Sequence, residues 1–133
     1  MKEIRLTIVN TEKTYIESGE YDKKDYELIN IKTNEPIGEC TIIDYSSYNT
    51  IWNVRIFDEF QNEGYGTLMI KDIIKKCKPK RQPLVLYVDR DNEIAIRFYK
   101  KLGFKIINDE LICLRDYLIS KSPYEAFEMV YQY

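Results

Sequence analysis

The apolar period of this chain changes once, abruptly, across the stretch Gln61-Asn62-Glu63-Gly64-Tyr65-Gly66-Thr67. Before it, the runs "YELINIK", "EPIGECTIIDY" and "TIWNVRIF" are rich in β-branched and aromatic residues and follow one another at close spacing. Turn residues separate them: Asn34, Glu35 and Pro36 in the first gap, Ser46 and Ser47 in the second. This predicts an antiparallel meander. After it, Leu68, Met69, Ile70, Ile73, Ile74 and Cys77 recur at three- and four-residue spacing, which predicts an amphipathic helix that Pro79 stops. The chain must pass from sheet to helix through two glycines. That junction limits the fold more than any other feature.

The rest of the pattern fits one mixed domain over residues 1–133. Residues 3–9 alternate and predict a first strand. Residues 11–25 are polar and leave room for a short helix at most. "LVLYV" at 84–88 is a continuous apolar run, as expected of a strand buried in mid-sheet. Asn92 suits the cap of a second helix carrying Ala95, Ile96, Phe98, Tyr99 and Leu102. Gly103 suits its end, with Phe104 folding back. "FKIIN" predicts a strand, residues 110–120 a helix and "AFEMVYQY" a closing strand. The fold class is α+β: a mostly antiparallel central sheet with flanking helices.

Composition removes several functions. The 133 residues contain no histidine, so a zinc enzyme or a histidine-based triad is not expected. Cys40, Cys77 and Cys113 are odd in number and widely spaced, which is neither a disulfide framework nor a metal pattern. No apolar run approaches a membrane span. "MKEIRLTIVN" does not read as a signal peptide, and the expected compartment is the cytoplasm. The net charge of -2 does not announce a nucleic-acid binder. The charge is unevenly divided: residues 1–60 hold 7 basic and 12 acidic side chains, residues 61–133 hold 13 and 10.

Two glycines before a helix are equally a tight turn and an anion site. A helix N-terminus offers unpaired N–H groups and partial positive charge, and glycine lets a phosphate come close. The spacing is neither a Walker loop nor a dinucleotide fingerprint. Q-x-x-G-x-G-T-L-M after a strand resembles the pyrophosphate-binding segment of the GNAT superfamily of acetyl-CoA-dependent N-acetyltransferases. "NEIAIRFYKKLGF" is similar to that family's second motif, N-x-x-A-x-x-x-Y-x-x-x-G-F, through Asn92, Ala95, Tyr99, Gly103 and Phe104. The resemblance is sharp over residues 50–105.

The resemblance implies a sheet that splays between the strand before Gly64 and the strand at 84–88. Backbone groups of Val54, Arg55 and Ile56 would bond the pantetheine arm, and one N–H there would polarise the thioester carbonyl. Gln61, Asn62, Glu63, Gly64, Tyr65, Gly66 and Thr67 would hold the pyrophosphate. Asn92 and Ala95 would line the cofactor site. Tyr99, otherwise a core aromatic, would protonate the leaving thiolate. The basic run "KKCKPKR" at 75–81 would lie within reach of the CoA 3′-phosphate. Acetyl-CoA is the implied cosubstrate, with no metal. Thr50 stands where some relatives carry a glutamate base. Asp44, Glu39, Glu59 or a water chain are the alternatives. Residues 11–25 are short for the two helices that usually wall the acceptor site in this family; the piece at 110–120 is a substitute or a dimer contact.

The expected partner is an amine acceptor: a polyamine, an antibiotic, a protein N-terminus or a lysine. The acidic half favours a cationic one, with Glu17, Glu20, Asp22, Asp25 and Glu39 as contributors. Neither nucleic acid nor membrane is expected as a partner, and the chain would be a monomer or homodimer. A catalytically silent CoA-binding or partner-binding module is the other reading.

Overall fold

The computed structural model describes residues 3–16, 19–107, 112–113 and 125–133. Among these, eight strands form one sheet. In chain order they are β1 (Ile4–Ile16), β2 (Gly19–Asn30), β3 (Pro36–Asp44), β4 (Asn49–Ile56), β5 (Leu84–Asp89), β6 (Lys105–Ile106), β7 (Ile112–Cys113) and β8 (Glu125–Tyr131). Two helices join them: α1 (Tyr65–Cys77) and α2 (Glu93–Lys101). The spatial order is β1-β2-β3-β4-β5-β8-β6, with β7 also on β8. All pairings are antiparallel except β4 with β5. No helix among the described residues is long and apolar enough to cross a membrane.

The meander forms as predicted. Asn34 adopts a left-handed φ of 59° in the first turn, and Ser46 one of 78° in the second. The Asn30 side chain accepts from Lys32 N–H at 2.9 Å, and Asp44 accepts from Ser46 N–H at 2.8 Å.

Residues 11–25 correct the expectation. Residues 11–16 and 19–25 are strand, not helix. β1 and β2 extend as a long hairpin, with Ile16 paired to Gly19. Opposite charges face each other across it, Glu12 with Lys23 and Lys13 with Asp22. Such cross-strand pairs hold polar strands together. An amphipathic alternation needs one apolar face, and residues 10–13 and 22–25 are polar on both. Of the helix expected at 110–120, Ile112–Cys113 is instead a strand on β8, and the remainder lies outside the described residues.

The core sits between the sheet and both helices. Met69, Ile70 and Ile73 of α1 are fully buried against Leu28, Ile37, Ile42 and Ile51. Leu84, Leu86 and Val88 continue this core under α2, whose Ala95, Ile96, Phe98, Tyr99 and Leu102 pack on it. Side chains alternate along a strand, so Thr50, Trp52, Val85, Tyr87 and Asp89 project from the opposite face. At the end of α2, Gly103 has φ 104° and a Cβ there would meet the Tyr131 ring at 2.9 Å. Gly103 N–H bonds Lys100 O and Phe104 N–H bonds Tyr99 O, each at 3.1 Å. Phe104 is then buried, as its place after the cap predicts.

Candidate active site

The parallel contact between β4 and β5 lasts only two pairs, Asn49 with Leu84 and Thr50 with Val85. Beyond Thr50 the strands part. The backbone edge of β4 that faces β5 then has no partner strand. A bulge lies on the same stretch: the β3–β4 register shifts between Glu39 and Thr41, and Asn53 takes a left-handed φ of 54°. Bulges bend a strand and re-aim its backbone. The parted strands leave a cleft of about 420 Å³. It is lined from the helix face by Ile51, Leu86, Val88, Ala95 and Tyr99, and from the other face by Trp52, Tyr87 and Asp89. The cleft therefore opens on both sides of the sheet.

This opening brings together Val54, Asn92, Ala95 and Tyr99, four of the residues singled out from sequence. The Asn92 side-chain oxygen accepts from Ala95 N–H at 3.1 Å, the cap expected there. Its amide NH2 remains for another acceptor. The Tyr99 ring lies edge-on to Phe98 and Phe104, at centroid distances of 5.1 and 5.6 Å. Burial pushes its phenol up to about 12, so it is protonated at neutral pH.

The glycine junction forms the second part of the site. Gly64 caps α1 with φ 86° and ψ 4°, and open space surrounds the position a Cβ would take. The first helical bond is Leu68 N–H to Gly64 O, 3.3 Å. The N–H groups of Tyr65, Gly66 and Thr67 thus precede the intrahelical ladder. Asn62 is also left-handed, φ 63°. Glu63 is exposed. An open cradle of N–H groups at a helix start fits a phosphate-bearing ligand. Gln61 differs from the expectation. Its side-chain amide donates to Ile56 O at 3.0 Å and to Asp58 at 3.3 Å. It ties the end of β4 to the turn, and the Ile56 carbonyl is already engaged. Arg55 points its exposed guanidinium to Phe57, 5.4 Å from the ring centroid, and approaches Glu39 at 4.0 Å. Arg55 is not among the residues that line the cleft.

Two further expectations change. The basic run at 75–81 lies toward the far end of α1 from the glycines, its first residue about 14 Å from Gly66 at roughly 1.5 Å per residue. There Lys80 bonds Asp44, and Lys76 sits 5.2 Å from the Tyr26 ring centroid. Run and junction are not one anion site. The acidic residues also separate. Asp25 and Glu39 line a groove of about 420 Å³ on the open face, together with Glu27 and Asn53. Asp22 is on the helix face, in a pocket with Asp44 and Lys80. Glu17 and the side chain of Glu20 lie outside the described residues.

Thr50 is buried at 2 % exposure and accepts from the Trp52 indole N–H at 2.8 Å, so it is a positioning group. Asp44 is committed to Lys80 and Ser46, Glu39 lies near Arg55, and Glu59 sits exposed in the turn after β4. None of the three lines the cleft; its carboxylate is Asp89, which accepts from Asp91 N–H at 2.8 Å. Trp52, Asn53, Tyr87 and Asp89 escaped the sequence reading. The signal available for Trp52 was its place two residues past Thr50 in the splaying strand.

Known proteins resemble this chain in sequence and in fold. A family model described as "FR47-like protein" matches residues 28–112. The chain is 32% identical over 68 residues to the uncharacterized N-acetyltransferase CgeE of Bacillus subtilis (strain 168), which covers 51% of this chain and 26% of that protein. It is 29% identical over 106 residues to the uncharacterized N-acetyltransferase ycf52 of Gracilaria tenuistipitata var. liui, covering 78% of this chain and 52% of that one. The chain thus spans about half the length, or less, of these curated relatives. A GNAT family acetyltransferase from Elizabethkingia anophelis, solved with acetyl-CoA bound, superposes over 100% of both chains with a TM-score of 0.72 at 19% identity. The ribosomal-protein-S18-alanine N-acetyltransferase of Escherichia coli gives 0.65 at 20% identity, over 81% of this chain and 67% of that one. At such identities the likeness is one of fold. With the family model covering well over half of its residues, the chain belongs to the FR47-like family of the GNAT superfamily.

Proposed function

We propose that the chain transfers an acetyl group from acetyl-CoA to a primary amine in a ternary complex. The observation that carries this reading is the parting of β4 from β5 beside Tyr99 and Asn92, with a glycine-capped helix start beyond the end of β4. The pyrophosphate would rest on the N–H groups of Gly64, Tyr65, Gly66 and Thr67. The pantetheine arm would lie along the free edge of β4 at Val54 and Arg55, like an added strand, and meet the Asn92 amide.

The reacting ammonium first gives a proton to water; the free amine nitrogen then attacks the thioester carbonyl carbon, a C–N bond forms, and the C–S bond breaks. Holding both partners in the split sheet supplies most of the acceleration. A backbone N–H near the Asn53 bulge would polarise the carbonyl. The nitrogen's surplus proton passes to water, and the sulfur carries the negative charge out. The Tyr99 phenol, at about 12, is a weaker acid than an ordinary thiol near ~8.5. Its contribution is therefore a hydrogen bond to the sulfur as charge develops, with the proton remaining largely on oxygen. The acceptor would be cationic, because Asp25, Glu27 and Glu39 outnumber Lys23 in the groove next to the cleft.

The alternative, a silent CoA-binding module, draws on Thr50, which cannot act as a base. Release of free thiol from acetyl-CoA with a panel of polyamines, amino-terminal peptides and lysine peptides separates the two. Mass spectrometry of the product should show one added acetyl group. Tight CoA binding with no acetylated product from any amine class would leave only the module.

A further inference from the structure

Thr50 occupies the last position at which β4 pairs with β5, at the apex of the split. Its hydroxyl holds the indole of Trp52, and the indole lies 5.4 Å from the Tyr87 ring across the gap, with 33° between their planes. Both rings line the cleft, and both belong to the face of the sheet opposite Tyr99. Two half-buried aromatic faces thus flank the mouth through which an acceptor would enter. We propose that Trp52, locked by Thr50 and paired with Tyr87, is the specificity-determining wall of the acceptor side, selecting amines that carry a second positive charge.

This rests on the transfer reading above for its substrate, but the wall is a binding element in its own right. An indole face is the strongest aromatic partner of an ammonium group. The sign of the charge is supplied by the neighbouring groove, which shares Asn53 with the cleft and sets three carboxylates, Asp25, Glu27 and Glu39, against the single Lys23. Glu27 stands directly opposite Glu39 there, a like-charge pair that works against the sheet. Asp25 is fixed beside them by Thr41, whose hydroxyl donates at 2.7 Å, and by Asn10 at 3.2 Å. A dication would place its reacting nitrogen in the split, and its second charge would lie against the indole and these carboxylates. Thr50 acts through Trp52 and is a positioning residue.

The test compares 1,4-diaminobutane with butylamine, which differ by one ammonium group. In the wild type, kcat/KM should favour the diamine. Trp52→Leu should lower that preference roughly three- to thirty-fold, the range of a cation–π contact, with KM for acetyl-CoA unchanged. Trp52→Phe should fall between. Thr50→Val should raise KM for the diamine, and Thr50→Ser should restore it. Trp52 is the chain's single tryptophan, so its fluorescence reports this wall alone. Titration with diamine, in the absence of any acyl donor, should change the emission in the wild type and much less in Tyr87→Leu. An unchanged diamine preference in folded Trp52→Leu, or emission indifferent to diamine, overturns the proposal. An emission change with no transfer to either amine keeps the wall and removes the transfer reading alone.

Discussion

Asp22 of β2 stands directly opposite Asp44 of β3, and Lys80 reaches across from the turn after α1 to bond Asp44. Burial pushes the Asp44 carboxyl up, but the Lys80 ammonium and the Ser46 N–H outweigh it and hold it below the usual carboxylate range. A carboxyl depressed in the folded state adds stability that is fully present above its unfolded value near ~3.9 and disappears as pH falls through the folded value. Asp25, lowered by the Thr41 and Asn10 side chains, acts in the same sense. The melting temperature should therefore fall steeply below pH 4. Asp44→Asn should flatten that fall. Lys80→Met should cost about 1 kcal/mol or less at pH 7, the scale of an exposed pair, and progressively less as pH falls through the folded Asp44 value. Thermal melts across pH 2–7 check both, and parallel curves for wild type and Asp44→Asn would contradict the assignment.

Gly64 combines a left-handed φ with open space. A Cβ there meets no atom, yet the conformation disfavours it by about 1–2 kcal/mol. Gly64→Ala should lose about that much stability and retain part of its response to CoA. Gly64→Glu should lose the same stability and the whole CoA-induced rise in melting temperature, because it both fills and repels the anion site. A full rise in Gly64→Glu would show that CoA binds without this cradle.

Tyr99→Phe should leave CoA affinity within about twofold and lower kcat by roughly 10²-fold, the scale of losing one hydrogen-bond donor to a developing negative charge. Because burial raises the phenol to about 12, its ionisation should leave no mark on the rate between pH 8 and 10. A wild-type alkaline limb near pH 10 that vanishes in Tyr99→Phe would mean that the phenol is ordinary and exposed.

Charge in the open-face groove should appear as salt dependence. Raising ionic strength from low to physiological should increase KM for a cationic acceptor several-fold and leave a neutral amine nearly unchanged, as the screening length shortens. Glu39→Gln should weaken the effect. Equal KM values at both ionic strengths for the cationic acceptor would remove the groove from the acceptor path.

What could be read from the residues depended on how local the cause was. The second helix was legible at both ends, because Asn92 caps by its own side chain and Gly103 is needed where φ is positive. The glycine junction was legible for the same reason. The β1–β2 ribbon was not: its polar residues satisfy each other across strands, and that pairing is invisible along the chain. The aromatic wall was hidden because Trp52 and Tyr87 come from strands that are neighbours only at the apex. The basic run at 75–81 misled because α1 carries it away from the glycines, toward Asp44.

The two sides of the split also differ in how far along the chain their partners lie. From β1 to β4, each strand pairs with the one just before it. On the other side, Leu84 must find Tyr131, and β8 enters between β5 and β6. Closing the longer loop carries the larger entropic penalty before any contact repays it. The meander should therefore gain protection from hydrogen exchange first during refolding, and the β5–β8 ladder last. The cleft, which needs both walls, is then among the final features to form.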